Sequence, residues 1–163
     1  MRPYNLKSQA SSFKSNFDCF IDASENCELA KLLNTVTLEF FGMRSTTVTY
    51  MELKGMDSGK CVYYQKTESN SIEFTEDTIQ MMLDGGATQE EVDQQEQIAN
   101  ETAQQTVGLE QTCKFNKEDL TSMLNRWKEG NFNGGASCTL NPDGTFGCAY
   151  TGDLENAECV SGS

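Results

Sequence analysis

Seven cysteines and the absence of histidine constrain what this 163-residue chain can fold into more than any other feature of its sequence. The cysteines are Cys19, Cys27, Cys61, Cys113, Cys138, Cys148 and Cys159. No two of them form a C-x-x-C pair, so the close Cys/His pairs typical of structural zinc sites do not occur. Dispersed cysteines in a chain of this length are typical of disulfide bonds, which form in oxidising compartments.

The cysteines therefore predict an extracytoplasmic protein, which is secreted, periplasmic or located at the cell surface. The alternative is a cytosolic protein with seven buried or inert thiols, which would be exposed to oxidation. Because seven is odd, at least one cysteine is left over, as a free thiol or for an intermolecular bond. No apolar segment near the start would serve as a signal peptide. We therefore expect either a cytosolic protein or a mature or truncated form, and the cysteines favour the second.

Two cysteines near the end of the chain are predicted to form a disulfide across a β-hairpin. Residues 141–144 read Asn-Pro-Asp-Gly, and Pro142 has the φ angle that the second position of a type I turn requires. A left-handed glycine after this turn completes a three-residue hairpin loop. Counting outward from that loop places Cys138 opposite Cys148. The alternative is that one of them bonds Cys159 or a cysteine of the core.

The formal net charge of −13 limits the classes of partner. Such a surface repels phosphate backbones and anionic lipid headgroups, so we expect no nucleic-acid binding and no polybasic membrane anchor. No stretch is long and apolar enough to be a transmembrane helix, which predicts no direct membrane insertion of this chain.

Hydrophobic periodicity predicts both helices and strands. Residues 10–22 carry one apolar helical face, formed by Phe13, Phe17, Phe20 and Ile21. Between residues 31 and 68 the period changes to two, in three β-branched and aromatic runs separated by glycines. These runs predict an antiparallel β-meander over residues 35–66, packed against the first helix and against a helix whose apolar face is formed by Leu120, Met123, Leu124 and Trp127.

Capping residues delimit the helices in the second half of the chain. Thr75 is the predicted N-cap of a short helix that ends at Gly85. Thr88 and Glu91 form the pattern of a capping box, which starts a Gln- and Glu-rich helix over residues 88–105. Its few apolar residues predict a solvated helix on the outside of the domain, or a mobile excursion. Asn116 is predicted to cap the helix that contains Trp127.

The predicted architecture is α+β, with an antiparallel β-meander packed against amphipathic helices and a disulfide-tied C-terminal β-hairpin. Residues 1–9 are predicted to be a flexible arm, residues 10–130 the α+β domain, and residues 131–163 a cysteine-containing hairpin tail. The tail has too few large apolar residues for a core of its own, so covalent links are expected to hold it.

No catalytic constellation is recognisable. Without histidine, Ser-His-Asp and Cys-His triads are impossible, and neither a phosphate-binding loop nor a dinucleotide fingerprint is present. The 25 acidic residues leave a paired-carboxylate hydrolase open, but no pair stands out. A calcium site using Asp143, Asp153 or Glu155 is conceivable but has no supporting pattern. We nominate no catalytic, cofactor-binding or metal-binding residue and expect no cofactor.

The neighbourhoods of four cysteines resemble a known group of proteins. They are Cys19-Phe20, Cys27 followed by Ala30-Lys31, Gly59-Lys60-Cys61 and Thr112-Cys113-Lys114-Phe115. Their order resembles small prokaryotic secreted or lipoprotein-type domains of unknown function, over residues 18–128. The resemblance implies an extracytoplasmic setting and a small α+β fold, and it implies no activity. The chain departs from the group in its cysteine-rich tail and in lacking a lipid-attachment cysteine at its start, which leaves membrane anchoring open.

Two functional hypotheses follow from these features. The first is a non-enzymatic extracytoplasmic domain for surface interaction, or a building block of a cell-surface assembly, with a protein partner or self-assembly. The alternative is a carboxylate-dependent envelope enzyme acting on glycans. A cleft with two facing carboxylates would favour the enzyme, and a surface suited to docking a partner would favour the interaction domain.

Overall fold

The computed structural model describes residues 13–140, 142 and 146–162, and the side chains among them except those of residues 13–15, 134–140 and 146–151. The elements in chain order are α1 (Phe13–Asn26), β1 (Ala30–Phe40), β2 (Met43–Asp57), β3 (Lys60–Phe74), α2 (Glu76–Asp84), α3 (Gln89–Gln104), β4 (Glu110–Phe115), α4 (Lys117–Lys128), β5 (Gly134–Leu140), β6 (Phe146–Gly152) and β7 (Glu158–Gly162). The predicted arm at residues 1–9 lies outside the described residues.

Five strands form an antiparallel sheet in the order β1-β2-β3-β4-β7, and β5 pairs with β6 in a separate two-stranded sheet. The predicted α+β class and antiparallel meander are confirmed. The first three strands are longer than predicted, at 11, 15 and 15 residues. Their connections are two-residue turns, Phe41-Gly42 and Ser58-Gly59, in which both φ angles are positive. Such turns match the twist of paired strands, so the ladder continues to the turn itself.

The chain divides into two compact units. The first comprises the residues up to Leu32, Glu52–Tyr64 and Gln111–Gly162. In its core α1 packs on α4, and the predicted apolar faces of both helices are buried, namely Phe17, Phe20, Ile21, Leu120, Met123 and Leu124. The hydroxyl oxygens of Ser24 and Thr121 lie 2.8 Å apart and join the two helices by a hydrogen bond.

Trp127 attaches α4 to the sheet, as predicted. Its ring packs edge-on against Tyr63 of β3, with 6.3 Å between ring centroids, and it lies 5.9 Å from the ring of Phe132. Tyr63 is fully buried and also meets Phe115 of β4. Burial raises the pKa of the Tyr63 phenol well above its ordinary value.

Two disulfides among the described side chains hold this unit together. Cys27–Cys61 joins the end of α1 to the start of β3, and Cys113–Cys159 joins the neighbouring strands β4 and β7. The second bond confirms that a covalent link ties down the polar tail. Among the described cysteines only Cys19, exposed on α1, is free.

The hairpin of β5 and β6 has the predicted register, with Cys138 opposite Cys148. The side chains of both cysteines lie outside the described residues, so their disulfide stays a prediction. In the structure Cys159 is bonded to Cys113, and Cys27 is bonded to Cys61.

The second unit comprises Leu33–Met51 and Gln65–Glu110, which include α2 and α3. The predicted N-cap at Thr75 and the predicted capping box of Thr88 with Glu91 are both present. In the first unit, Asn116 is the N-cap residue of α4, as predicted. Asn116 precedes α4, but its side chain donates to the Asp119 carboxylate and caps no backbone group.

Helix α3 is largely exposed, as predicted, but its polar side chains have a structural role that the sequence pattern does not indicate. The side chain of Gln104 donates to the carbonyl of Asn70, Asn100 accepts from the N–H of Ile72, and Glu96 accepts from the N–H of Phe74. Residues four positions apart in a helix are separated by about 6 Å along its axis, and alternate residues of a strand are about 6.7 Å apart. The spacing of the three α3 side chains therefore matches that of the β3 backbone groups they bond. Helix α3 therefore satisfies the backbone of β3 in place of another strand.

No helix in the described part of the chain is long and apolar enough to span a bilayer.

Candidate interaction surface at the first hairpin

The turn between β1 and β2 presents an unusual pair of aromatic side chains. Phe41 is 95% exposed and Phe40 43% exposed, and their rings meet edge-on with centroids 6.3 Å apart. We call these two residues the aromatic tip. Burying a phenylalanine side chain stabilises a protein by about 1.5–3 kcal/mol. The chain on its own lacks that stabilisation at Phe41, because this ring remains in water.

The backbone of the tip is also unfavourable for its sequence. Phe41 and Gly42 have φ angles of 49° and 74°. A left-handed residue with a β-carbon costs roughly 1–2 kcal/mol, and asparagine, aspartate or glycine usually occupies this turn position. Phe41 therefore combines a strained backbone with an apolar side chain in water. Such a combination at a loop tip is typical of residues kept for binding.

The N-cap residue of helix α2, Thr75, holds the turn in place. The backbone N–H and the hydroxyl of Thr75 both donate to the carbonyl of Gly42, at 2.9 and 3.1 Å. A β-carbon at position 42 would lie 1.9 Å from the hydroxyl oxygen of Thr78, so only glycine fits there. The aromatic tip is thus presented on a clamped turn.

An acidic groove borders the tip. Its lining is formed by Glu39, Phe40, Gly42, Arg44, Glu73, Phe74, Thr75, Glu76, Asp77, Thr78 and Met81. Four carboxylates thus surround a single cation, Arg44, whose guanidinium lies 2.7 Å from the Glu39 carboxylate. The hydrogen bond and charge of Glu39 raise the pKa of Arg44, and two further carboxylates add to the effect. Met81, 68% exposed, adds an apolar contact to the groove.

The alternating sequence pattern identifies Phe40 and Phe41 as strand residues and indicates no function for them. A signal is nevertheless present, because Phe-Phe-Gly stands where the glycine separator predicts a turn. Two adjacent aromatic residues directly before a turn glycine are a poor choice for a solvated loop.

The sequence-predicted residues lie elsewhere in the chain. Asp153, considered for calcium, belongs to the first unit, and only 5% of its side chain is exposed. Its carboxylate accepts hydrogen bonds from the Arg126 guanidinium at 2.5 Å, from the Trp127 indole at 2.9 Å and from the Asn133 N–H at 3.1 Å. Those donors give Asp153 a structural role. Within the described residues no group of three or more His, Cys, Asp or Glu side chains could hold a metal ion.

No protein-family model, curated protein or solved structure matches the chain. The resemblance to secreted cysteine-containing domains therefore stays an expectation from short motifs, and the candidate surface stands on its own geometry.

Proposed function

We propose that this chain is a non-enzymatic extracytoplasmic domain for surface interaction, a building block of a cell-surface assembly that contacts a protein partner through the aromatic tip. The observation that carries the proposal is the exposure of Phe41 on a turn whose left-handed backbone disfavours phenylalanine. Two disulfides support an oxidising compartment.

The surroundings of the tip indicate the chemistry of its partner. An exposed phenyl ring calls for an apolar pocket, and anchoring aromatic residues in pockets supply much of the energy of protein interfaces. The carboxylates of Glu39, Glu73, Glu76 and Asp77 border the tip, so a basic rim on the pocket would be complementary. The same carboxylates repel anionic lipid headgroups, which favours a protein over a membrane surface.

Site-specific photo-crosslinking tests this proposal. The photoreactive residue p-benzoylphenylalanine replaces Phe41 in one variant and Glu101, an exposed residue of α3, in a matched control. In cells of the source we expect a light-dependent adduct of defined mass from position 41 and none from position 101. Excess wild-type protein should compete with adduct formation, whereas a Phe41→Ser variant should not. Absence of a competed adduct at position 41 would contradict the proposal.

One observation favours the alternative, a carboxylate-dependent envelope enzyme acting on glycans. The groove places several carboxylates beside the rings of Phe40 and Phe74, and sugars pack on aromatic faces. The carboxylates of Glu39, Glu73, Glu76 and Asp77 are all exposed, however, and catalytic acids are usually desolvated. Incubation of the protein with envelope glycans, followed by an assay for new reducing ends, distinguishes the enzyme from the interaction domain. Hydrolysis that is lost in Glu73→Gln would replace our proposal with the enzyme.

A further inference from the structure

Strand β1 forms one outer edge of the five-stranded sheet. An edge strand presents unpaired N–H and C=O groups to any other strand that approaches. Natural proteins protect such edges by making them short, by placing lysine or proline on them, or by covering them.

Within the part of the chain that the structure describes, the other edges are protected and this one is not. The backbone of β3 from Asn70 to Phe74 is bonded by side chains of α3. The opposite edge strand, β7, has only five residues. Strand β1 has 11 residues, and from Leu33 to Leu38 it carries neither a charge nor a proline.

One face of this edge is also apolar. Val36, Leu38 and Phe40 alternate along β1 and share a face. Leu38 is 52% exposed and Phe40 43% exposed, whereas Ala30 and Leu32 at the start of the same strand are buried. The apolar stripe is thus open to solvent along the half of the strand that leads to the aromatic tip.

From this edge we infer that two copies of the chain pair through β1, antiparallel and about a two-fold axis at Leu38. The inference goes beyond the proposed function, because an acidic second copy at this edge is not the basic-rimmed partner proposed for the aromatic tip. In this register Leu38 lies opposite its own mate, Val36 opposite Phe40, and Thr37 opposite Glu39. Phe41 falls at the end of the paired segment, beside Thr35 of the other copy.

Side-chain pairing selects this register over its neighbours. Partners in an antiparallel pair share a face, so the axis passes through a residue position. An axis at Glu39 would place Val36 opposite the turn residue Gly42 instead of an apolar strand residue. An axis at Thr37 would place Phe40 opposite Asn34. Only the axis at Leu38 pairs all three apolar residues with one another.

Charge sets the strength of the dimer. At the edge itself Glu39 is neutralised by Arg44 of its own chain. The whole chain carries −13, so two copies repel each other over long range, and this repulsion is screened by salt. A single strand pair is a small interface. We therefore expect a reversible dimer that dissociates at low salt and forms at high salt.

Sedimentation equilibrium of the oxidised full chain tests the inference at low and high salt. Every protein carries Cys19→Ser, so that chains cross-linked through the exposed thiol do not count as dimers. Leu38→Lys should raise the dimer dissociation constant by about tenfold or more, because it removes an apolar pair and opposes two charges. Leu109→Lys is the matched control, since Leu109 is also 52% exposed but lies outside β1. We expect the control to dimerise like the parent.

A charge-swap experiment tests the register. Because position 38 faces itself across the axis, Leu38→Lys and Leu38→Glu should each be monomeric alone and should dimerise when mixed. A parent protein that stays monomeric at every concentration and salt would overturn the inference, as would an equal loss in Leu109→Lys or a mixture that stays monomeric. If the parent is monomeric but the competed adduct at position 41 persists with another protein, the proposed function survives without this dimer.

Discussion

At the scale of single residues, Cys19 is the cysteine that the odd count requires. It is exposed and free, whereas Cys27, Cys61, Cys113 and Cys159 are bonded. With the predicted bond between Cys138 and Cys148, all other cysteines have partners. The odd number of cysteines in the sequence and the free Cys19 in the structure therefore both predict one free thiol per chain.

We predict one reactive thiol per chain in unfolded, unreduced protein from an oxidising source, and none in Cys19→Ser. A thiol-specific chromophore measures both. Three thiols in the parent protein would show that Cys138 and Cys148 are not bonded, because only these two remain besides Cys19.

Asp153 is a second residue whose effect can be predicted. Replacement by asparagine removes the charge that the Arg126 guanidinium and the Trp127 indole contact at a buried site. Loss of such a charge-assisted bond costs about 2 kcal/mol. We expect Asp153→Asn to lower the free energy of urea unfolding by about that amount, whereas Glu155→Gln, at an exposed neighbour, changes it little. An unchanged unfolding midpoint in Asp153→Asn would contradict this role.

The same carboxylate predicts a pH dependence. Desolvation raises the pKa of Asp153, but the hydrogen bonds from Arg126, Trp127 and Asn133 outweigh it and lower the pKa below its usual value. A lowered folded-state pKa contributes stability that is fully present above the unfolded pKa of about 3.9 and is lost as the pH falls through the folded value. The stability difference between Asp153→Asn and the parent protein should therefore shrink on acidification, as measured by urea unfolding at several pH values. A difference independent of pH would exclude this ionisation as the cause.

At the scale of elements, α1 ends in a conformation that usually takes glycine. Cys27 has a φ angle of 53°, its N–H bonds the carbonyl of Ser24, and the N–H of Glu28 bonds that of Ala23. This is the Schellman arrangement, in which a left-handed residue follows the helix. Cys27 adopts this left-handed conformation and also supplies the sulfur that is bonded to Cys61.

Glycine should therefore be the better residue at position 27 once the disulfide is absent. In a Cys61→Ala background we expect Cys27→Gly to be more stable than Cys27→Ala by about 1 kcal/mol, because glycine adopts the left-handed region without strain. Chemical unfolding of the two double variants measures the difference. If the alanine variant is equally stable, the helix end rearranges when the disulfide is lost.

Helix α3 gives a second test at this scale. Asn100→Ala should destabilise the protein by roughly 1–2 kcal/mol, since the N–H of Ile72 loses its acceptor. Gln97→Ala is the control, because Gln97 lies on the same helix and its side chain donates to the exposed Glu101 carboxylate. Thermal unfolding should separate the two variants. Equal melting temperatures would show that α3 does not serve as a substitute strand.

At the scale of the whole molecule, the disulfides are expected to carry a large share of the stability. They close loops with sequence separations of 34 and 46 residues. In the chain-entropy description, a disulfide that closes a loop of that length contributes about 4 kcal/mol of stability. The two bonds together approach the total stability of a small domain.

We therefore predict that reduction largely unfolds the protein at ambient temperature, as followed by circular dichroism with and without reductant. The double variant Cys113→Ser, Cys159→Ser should lose less than half as much stability as full reduction, which also breaks Cys27–Cys61 and the predicted Cys138–Cys148 bond. A reduced protein that keeps its melting temperature would contradict this view and weaken the case for an oxidising compartment.

The sequence by itself determined the local elements of this protein. The apolar faces of α1 and α4, the alternating runs of β1 to β3, the caps at Thr75 and Thr88 and the register of the last hairpin are all set by interactions between residues a few positions apart. Such interactions have fixed periods or fixed turn geometries, so they can be recognised in a single amino-acid sequence.

Tertiary structure decided how those elements meet. It paired Cys27 with Cys61 and Cys113 with Cys159, and it placed the side chains of α3 against the backbone of β3. It also left Phe41 exposed to solvent. These outcomes depend on contacts between residues far apart in sequence, and many pairings satisfy the same local pattern. A phenylalanine in an alternating run has the same local pattern whether the fold buries it or presents it to a partner, because burial is a property of the assembled molecule.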